Sequence, residues 1–167
     1  MRHNTSKNMA LGGVMAALAL VVMCLGGMIP LATYICPMFC AVLLMVVLKR
    51  TGARVAWAWY GAVSILSMLL GPDKEAAAVF VFLGYYPILK PWLDKRKLAL
   101  LWKLLLFNAA IFAMYSVLIY VFGLADIAAE FEELGMVMSV VTLILGNATL
   151  FMMDVLLALL EKRKFHG

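Results

Sequence analysis

The feature that most constrains this chain is the segregation of its charges between long apolar stretches. Uncharged or nearly uncharged runs recur at about 9–31, 32–48, 55–70, 76–89, 98–124 and 134–160; only Lys103 and Asp154 interrupt them. If the gaps between runs are numbered alternately, thirteen of the fourteen Lys and Arg residues share one side: Arg2, Lys7, Lys49, Arg50, Arg54, Lys90, Lys95, Arg96, Lys97, Lys103, Lys162, Arg163 and Lys164. Lys74 alone takes the other. Basic residues are retained on the cytoplasmic face of inserted helices. The pattern predicts an all-α, polytopic integral membrane protein with about six transmembrane helices in one bundle and both termini inside.

An apolar share of 66% and only 14% charged residues depart far from a soluble domain, where roughly 45–50% is apolar. Six spans of about 20 residues each occupy most of 167 positions, so 1–167 is expected to form a single transmembrane domain. Backbone polar groups in hydrocarbon must be satisfied within the segment, which predicts helices. The net charge of +5 resides in short juxtamembrane loops, where anionic lipid lies, so no nucleic-acid partner is expected. The first apolar stretch is too long for a cleaved leader and lacks a small-residue cleavage pattern. Cys24, Cys36 and Cys40 read as small buried hydrophobes. With His3 and His166 at the termini, no metal or cofactor is expected.

The third and fourth runs are short and flank Gly71-Pro72-Asp73-Lys74-Glu75, whose opening is a turn signal. They form two true spans or a re-entrant hairpin; two spans are favoured. Outer connections are expected at 30–37, 71–75 and 123–135, the last reading as a short interfacial helix rich in acids. Trp57, Trp59, Tyr60, Tyr85, Tyr86, Trp92 and Trp102 cluster near the inner boundary and read as an anchoring belt. Pro87 and Pro91 are expected to terminate the fourth helix there.

Four constellations stand out. Gly12/Ala16 and Gly13/Ala17 are overlapping pairs of small residues four apart, which let helices approach closely in lipid. They serve packing inside the bundle or docking of another membrane subunit. Asp154 lies about six residues from the inner end of its span, roughly 9 Å deep. Such an acid needs a partner, and Lys103 or Asn108 enters the fifth span at comparable depth; a polar clasp is expected. Asn147, Thr142 and Ser139 continue a sparse polar stripe on the sixth span, able to line a cavity that opens outward. Asp73, Lys74 and Glu75 either cap a helix or form a charged lid over an outer pocket.

The opening Met9-Ala-Leu-Gly-Gly-Val-Met-Ala-Ala-Leu-Ala-Leu after a basic N-terminus, with about six spans and no nucleotide-binding motif, resembles the substrate-binding S components of bacterial energy-coupling factor (ECF) transporters. Pro30-Leu-Ala-Thr-Tyr34, Gly71-Pro-Asp-Lys-Glu-Ala-Ala and Gly84-Tyr-Tyr-Pro-Ile-Leu-Lys also resemble a group of small Firmicutes membrane proteins associated with that class. The resemblance implies a bacterial cytoplasmic-membrane protein, not an enzyme, that captures a vitamin-like micronutrient and works with a transmembrane T subunit and ATPases. It implies that the T subunit docks on Gly12, Gly13, Ala16 and Ala17. It also implies a ligand pocket drawing on Tyr34, Asp73, Lys74, Glu75 and Asn147, with Thr142 on the same stripe as Asn147. Some of the family's alanines are glycine here, and no signature of a riboflavin, thiamine, biotin or folate binder is present. The alternative is a small scaffold protein of the cell envelope or cell-shape machinery, without transport activity.

The charge bias makes a direct prediction. Single cysteines placed at Ser6 and Lys164 should be labelled from the inside only, and those at Lys74 and Glu132 from the outside only. A cysteine at position 74 that reacts from the inside would sink the six-span topology.

Overall fold

The structure is a computed structural model that describes residues 2–26, 32–123, 133 and 135–162. Its regular elements are α1 (Arg2–Gly26), α2 (Ala32–Thr51), α3 (Ala53–Leu70), α4 (Lys74–Leu83), α5 (Tyr86–Leu93), α6 (Ala99–Tyr120) and α7 (Met136–Lys162), with no strand among the described residues. Six segments are long and apolar enough to cross a membrane: Ser6–Leu25, Ala32–Thr51, Ala53–Leu70, Lys74–Leu93, Ala99–Tyr120 and Ser139–Leu160. Their outward surface is apolar, with Leu69, Phe112 and Met136 among many large hydrophobic side chains exposed. Apolar surface on that scale suits contact with lipid.

The helices run past the charge boundaries. The third span includes Arg54, and the fourth runs from Lys74 through Lys90 to Leu93, so both are long enough to cross separately. The fourth is stepped at Gly84-Tyr85, dividing it into α4 and α5. Pro87 and Pro91 do not terminate it. Pro87 is the second residue of α5, where a missing N–H deprives the helix of nothing, and Pro91 lies within the last turn. Most of the expected outer connection at 30–37 is also helical, with Pro37 buried inside α2. The expected interfacial helix within 123–135 falls mainly outside the described residues.

The chain divides into two compact units, residues 1–92 and 93–167. In the first, α1 packs on α2 and α3, and α4 packs on α2 and α3. Its core joins Ala19 and Met23 of α1, Cys40, Leu44 and Val47 of α2, Val63 of α3, and Ala77 and Phe80 of α4. Gly52, at φ +89°, reverses the chain from α2 to α3 in one residue, a conformation that favours glycine. The aromatic belt divides. Trp57, Trp92 and Trp102 are exposed, whereas Trp59 and Tyr86 are buried. The Trp59 indole donates to the Gly12 carbonyl at 3.0 Å. Tyr60 donates to the Val81 carbonyl and packs on Phe80 and Tyr85. An indole or phenol in a packed interior needs a partner for its polar end, and these backbone carbonyls supply it.

In the second unit α6 and α7 pack side by side. Gly146 marks their close approach: a Cβ there would overlap Ile111 Cδ1.

The Gly84 step sets a stability expectation. A Cβ on Gly84 would overlap the Phe80 carbonyl oxygen and come within 2.6 Å of the Phe80 ring, in a buried setting. Gly84→Ala should therefore lower stability by about 1–3 kcal/mol. Gly13→Ala, with no atom within 4 Å of the new carbon, should be neutral or slightly stabilising. Thermal unfolding in detergent checks both, and equal midpoints for Gly84→Ala and the native protein would contradict this account of the step.

Candidate functional site

Three polar constellations and the α1 face account for every site residue expected from the sequence. The first lies where α3 hands over to α4. Asp73 has extended backbone angles and caps α4, its Oδ1 accepting from the Ala76 N–H at 3.0 Å. Its Oδ2 accepts from Thr33 Oγ1 at 2.8 Å. Tyr34 directs its hydroxyl to Glu75 Oε1 at 3.5 Å. Lys74 turns back to the end of α3, where Nζ donates to the Met68 and Gly71 carbonyls at 2.8 and 2.9 Å. An acid at a helix start and an ammonium at a helix end both meet the favourable pole of the helix dipole. Tyr34, Asp73, Lys74 and Glu75 are thus gathered at one corner of the first unit and bonded within it. Thr33, beside Tyr34 in sequence, joins them without having been singled out.

The second constellation is a ladder between α6 and α7. Lys103 Nζ lies 3.1 Å from both carboxylate oxygens of Asp154 and 2.5 Å from Asp94 Oδ1. The Lys103 side chain is only 8% exposed, against 41% for Asp94 and 30% for Asp154. One rung further, Asn147 Nδ2 donates to Asn108 Oδ1 at 3.0 Å, with the reverse contact at 3.5 Å. Each amide also donates to the carbonyl four residues earlier, Leu104 or Leu143. Asn108 is therefore held by Asn147 and not by Asp154. Asn147, expected with the outer-pocket group, is placed in this ladder. Asp94 escaped sequence reading because it stands next to Lys95, Arg96 and Lys97 and reads as one member of a solvated charge run. Its place nine residues before Lys103, at the start of the same unit, was the available signal.

The third is a cavity of about 400 Å³ between α6 and α7, lined by Ile111, Tyr115, Ser116, Ser139, Thr142 and Leu143 among others. It lies beyond the Ile111–Gly146 contact, away from Lys103. Ser116 Oγ donates to the Phe112 carbonyl at 2.8 Å and Ser139 Oγ to the Gly135 carbonyl at 3.3 Å. Thr142 is 7% exposed as a residue, and its hydroxyl lines the cavity without a hydrogen bond to another described residue; the buried side-chain polar atom left without a partner among the described residues is Ser64 Oγ, in α3. Tyr115 and Ser116 of α6 were not expected here from the sequence. They sit in an otherwise apolar run, and only the pairing of α6 with α7 brings them opposite Thr142.

On α1 the four small residues divide between two faces. Gly12 is buried and offers its carbonyl to Trp59, and Ala16 packs at the edge of the core. Gly13 and Ala17 are exposed beside Val14, Leu18 and Val21.

Comparison of the chain with protein-family models, curated proteins and solved structures gives no match.

The Lys103 triad makes a coupled prediction. Asp154→Asn leaves the ammonium with Asp94 and should cost about 1 kcal/mol, as for a partly exposed pair. Replacing Asp94 and Asp154 together by Asn strips a buried ammonium of both carboxylates and should cost about 3–5 kcal/mol. Unfolding midpoints of the two single variants and the double variant test this. A double effect equal to the sum of the singles would show that the two acids do not share Lys103.

Proposed function

We propose that the chain is the solute-capturing membrane subunit of an importer of the ECF S-component kind, working with a transmembrane T subunit and ATPases to bring in a vitamin-like small molecule. The observation that carries this reading is the α6–α7 cavity. Its volume of about 400 Å³ falls in the range of about 300–1,000 Å³ typical of small-molecule sites, where apolar walls enclose a few convergent polar groups. With both termini cytoplasmic, as the charge bias argues, the cavity occupies the outer half of the membrane, where an importer meets its solute. Lys103, Asp94 and Asp154 then lie toward the inner boundary and hold the same two helices together at the other end.

Docking to the T subunit is assigned to the exposed half of the small-residue pattern, Gly13 and Ala17. Gly12 and Ala16 face the core of the first unit and support α1 from behind. Close approach of a partner helix suits a surface free of large side chains. The corner formed by Tyr34, Asp73, Lys74 and Glu75 has a capping role in this reading.

The test has two arms on the full-length protein. A panel of vitamins and related micronutrients is screened for thermal stabilisation, and Thr142→Val should abolish the shift given by the true solute. Independently, Gly13→Leu and Ala17→Leu should weaken co-purification with a T subunit while leaving that shift intact. A stabilising solute whose effect survives Thr142→Val would move the site elsewhere. T-subunit association that survives both leucine substitutions would remove α1 as the docking face.

A further inference from the structure

The same cavity carries information on what it admits. None of the described residues that line it is charged. The nearest intramembrane charges on this helix pair are Lys103 and Asp154, which are already paired with each other. Lys103 is twelve residues from Tyr115 along α6, about 18 Å at the rise of an α-helix. A carboxylate, phosphate or ammonium entering the cavity would exchange its hydration for apolar walls that offer no counter-charge among the described residues, which strongly disfavours it. The polar lining is one-sided as well. Ser116 and Ser139 donate to carbonyls of their own helices, so toward the cavity they offer oxygen lone pairs. Most of the Thr142 surface is covered, but its hydroxyl, which makes no hydrogen bond to another described residue, is not sealed away and is open to the cavity it lines. A lipid tail filling the same space would leave this hydroxyl unanswered, because hydrocarbon neither donates nor accepts.

We infer that the α6–α7 cavity selects an uncharged, largely apolar small molecule that carries one hydrogen-bonding group, which meets the Thr142 hydroxyl. The inference rests on the capture reading above and names the solute class within it. Selection arises from two features acting together: uncharged walls reject ionised solutes, and one unpartnered hydroxyl favours a polar point on an apolar frame over plain hydrocarbon.

A matched pair of fluorescent probes tests this on the full-length protein in a neutral detergent. N-phenyl-1-naphthylamine is uncharged and carries one N–H; 1-anilinonaphthalene-8-sulfonate has the same frame with an anionic group. The native protein should bind the neutral probe saturably above the micelle background. Ser116→Trp, which fills the cavity, should weaken that binding about tenfold or more, and Thr142→Val should weaken it about fivefold. If Ser116→Trp fails to fold, Thr142→Val alone carries the comparison. The sulfonate should show no saturable component that either variant removes.

Sulfonate binding that is saturable and sensitive to the same substitutions would overturn the exclusion of charge. Neutral-probe binding that ignores both substitutions, or no saturable binding, would overturn the site. Displacement of the neutral probe by added phosphatidylglycerol would assign the cavity to a lipid tail and overturn the inference. Stabilisation by a charged micronutrient, abolished by Thr142→Val, would overturn the solute class while leaving the capture reading intact.

Discussion

In hydrocarbon no water is available to a backbone N–H or C=O, so each must be bonded within its own segment. Every described regular element here is a helix, and the short polar side chains conform to the same rule. Thr51, Asn108, Ser116, Ser139, Asn147 and Thr149 each donate to the carbonyl four residues earlier. A hydroxyl or amide that bonds back to its own helix can sit in an apolar span with little desolvation cost. Against that background two hydroxyls stand apart among the described residues: Ser64 Oγ, buried in α3 without a partner, and that of Thr142, which lines the cavity without such a bond.

Charges follow a related logic with a different solution. Where two helices meet at a turn, the acid and the base each go to the helix end that favours them: Asp73 at the start of α4 and Lys74 at the end of α3. In the second unit, one turn into α6, Lys103 is held between two carboxylates, Asp94 just past the end of α5 and Asp154 of α7. Continuing along α6 and α7 there follow the Asn108–Asn147 amide pair, the close approach of Ile111 to Gly146, and then the cavity. The interhelical contact thus changes from ionic to polar to apolar along one helix pair. The cavity occupies the end where no ionic contact is present among the described residues.

Small residues act at two levels. Gly12 exposes its carbonyl to the Trp59 indole, and Gly146 brings α7 against Ile111. Both use the absence of a side chain to shorten a distance inside a unit. Gly13 and Ala17 carry the same residue types on an exposed face, where only a partner or lipid can make use of them. Composition alone does not separate these uses, because a spacing of four places both pairs on neighbouring faces of one helix.

The helical class, the number of segments able to cross a membrane and their approximate centres were legible in the sequence, because hydropathy and charge act through local stretches of chain. Helix ends were less so. α3 begins before Arg54 and the fourth span carries Lys90 within it, since long basic side chains tolerate a helical position wherever their heads find a polar setting. The choice of Lys103 over Asn108 as partner of Asp154, the pairing of Asn108 with Asn147, and the inclusion of Asp94 depended on the rotation of α6 against α7. So did the cavity, because Tyr115 and Ser116 face Thr142 only after that rotation is set. Spacing along one chain shows which residues share a helix face, but which face meets which is decided by close packing between helices, and only the tertiary structure contains it.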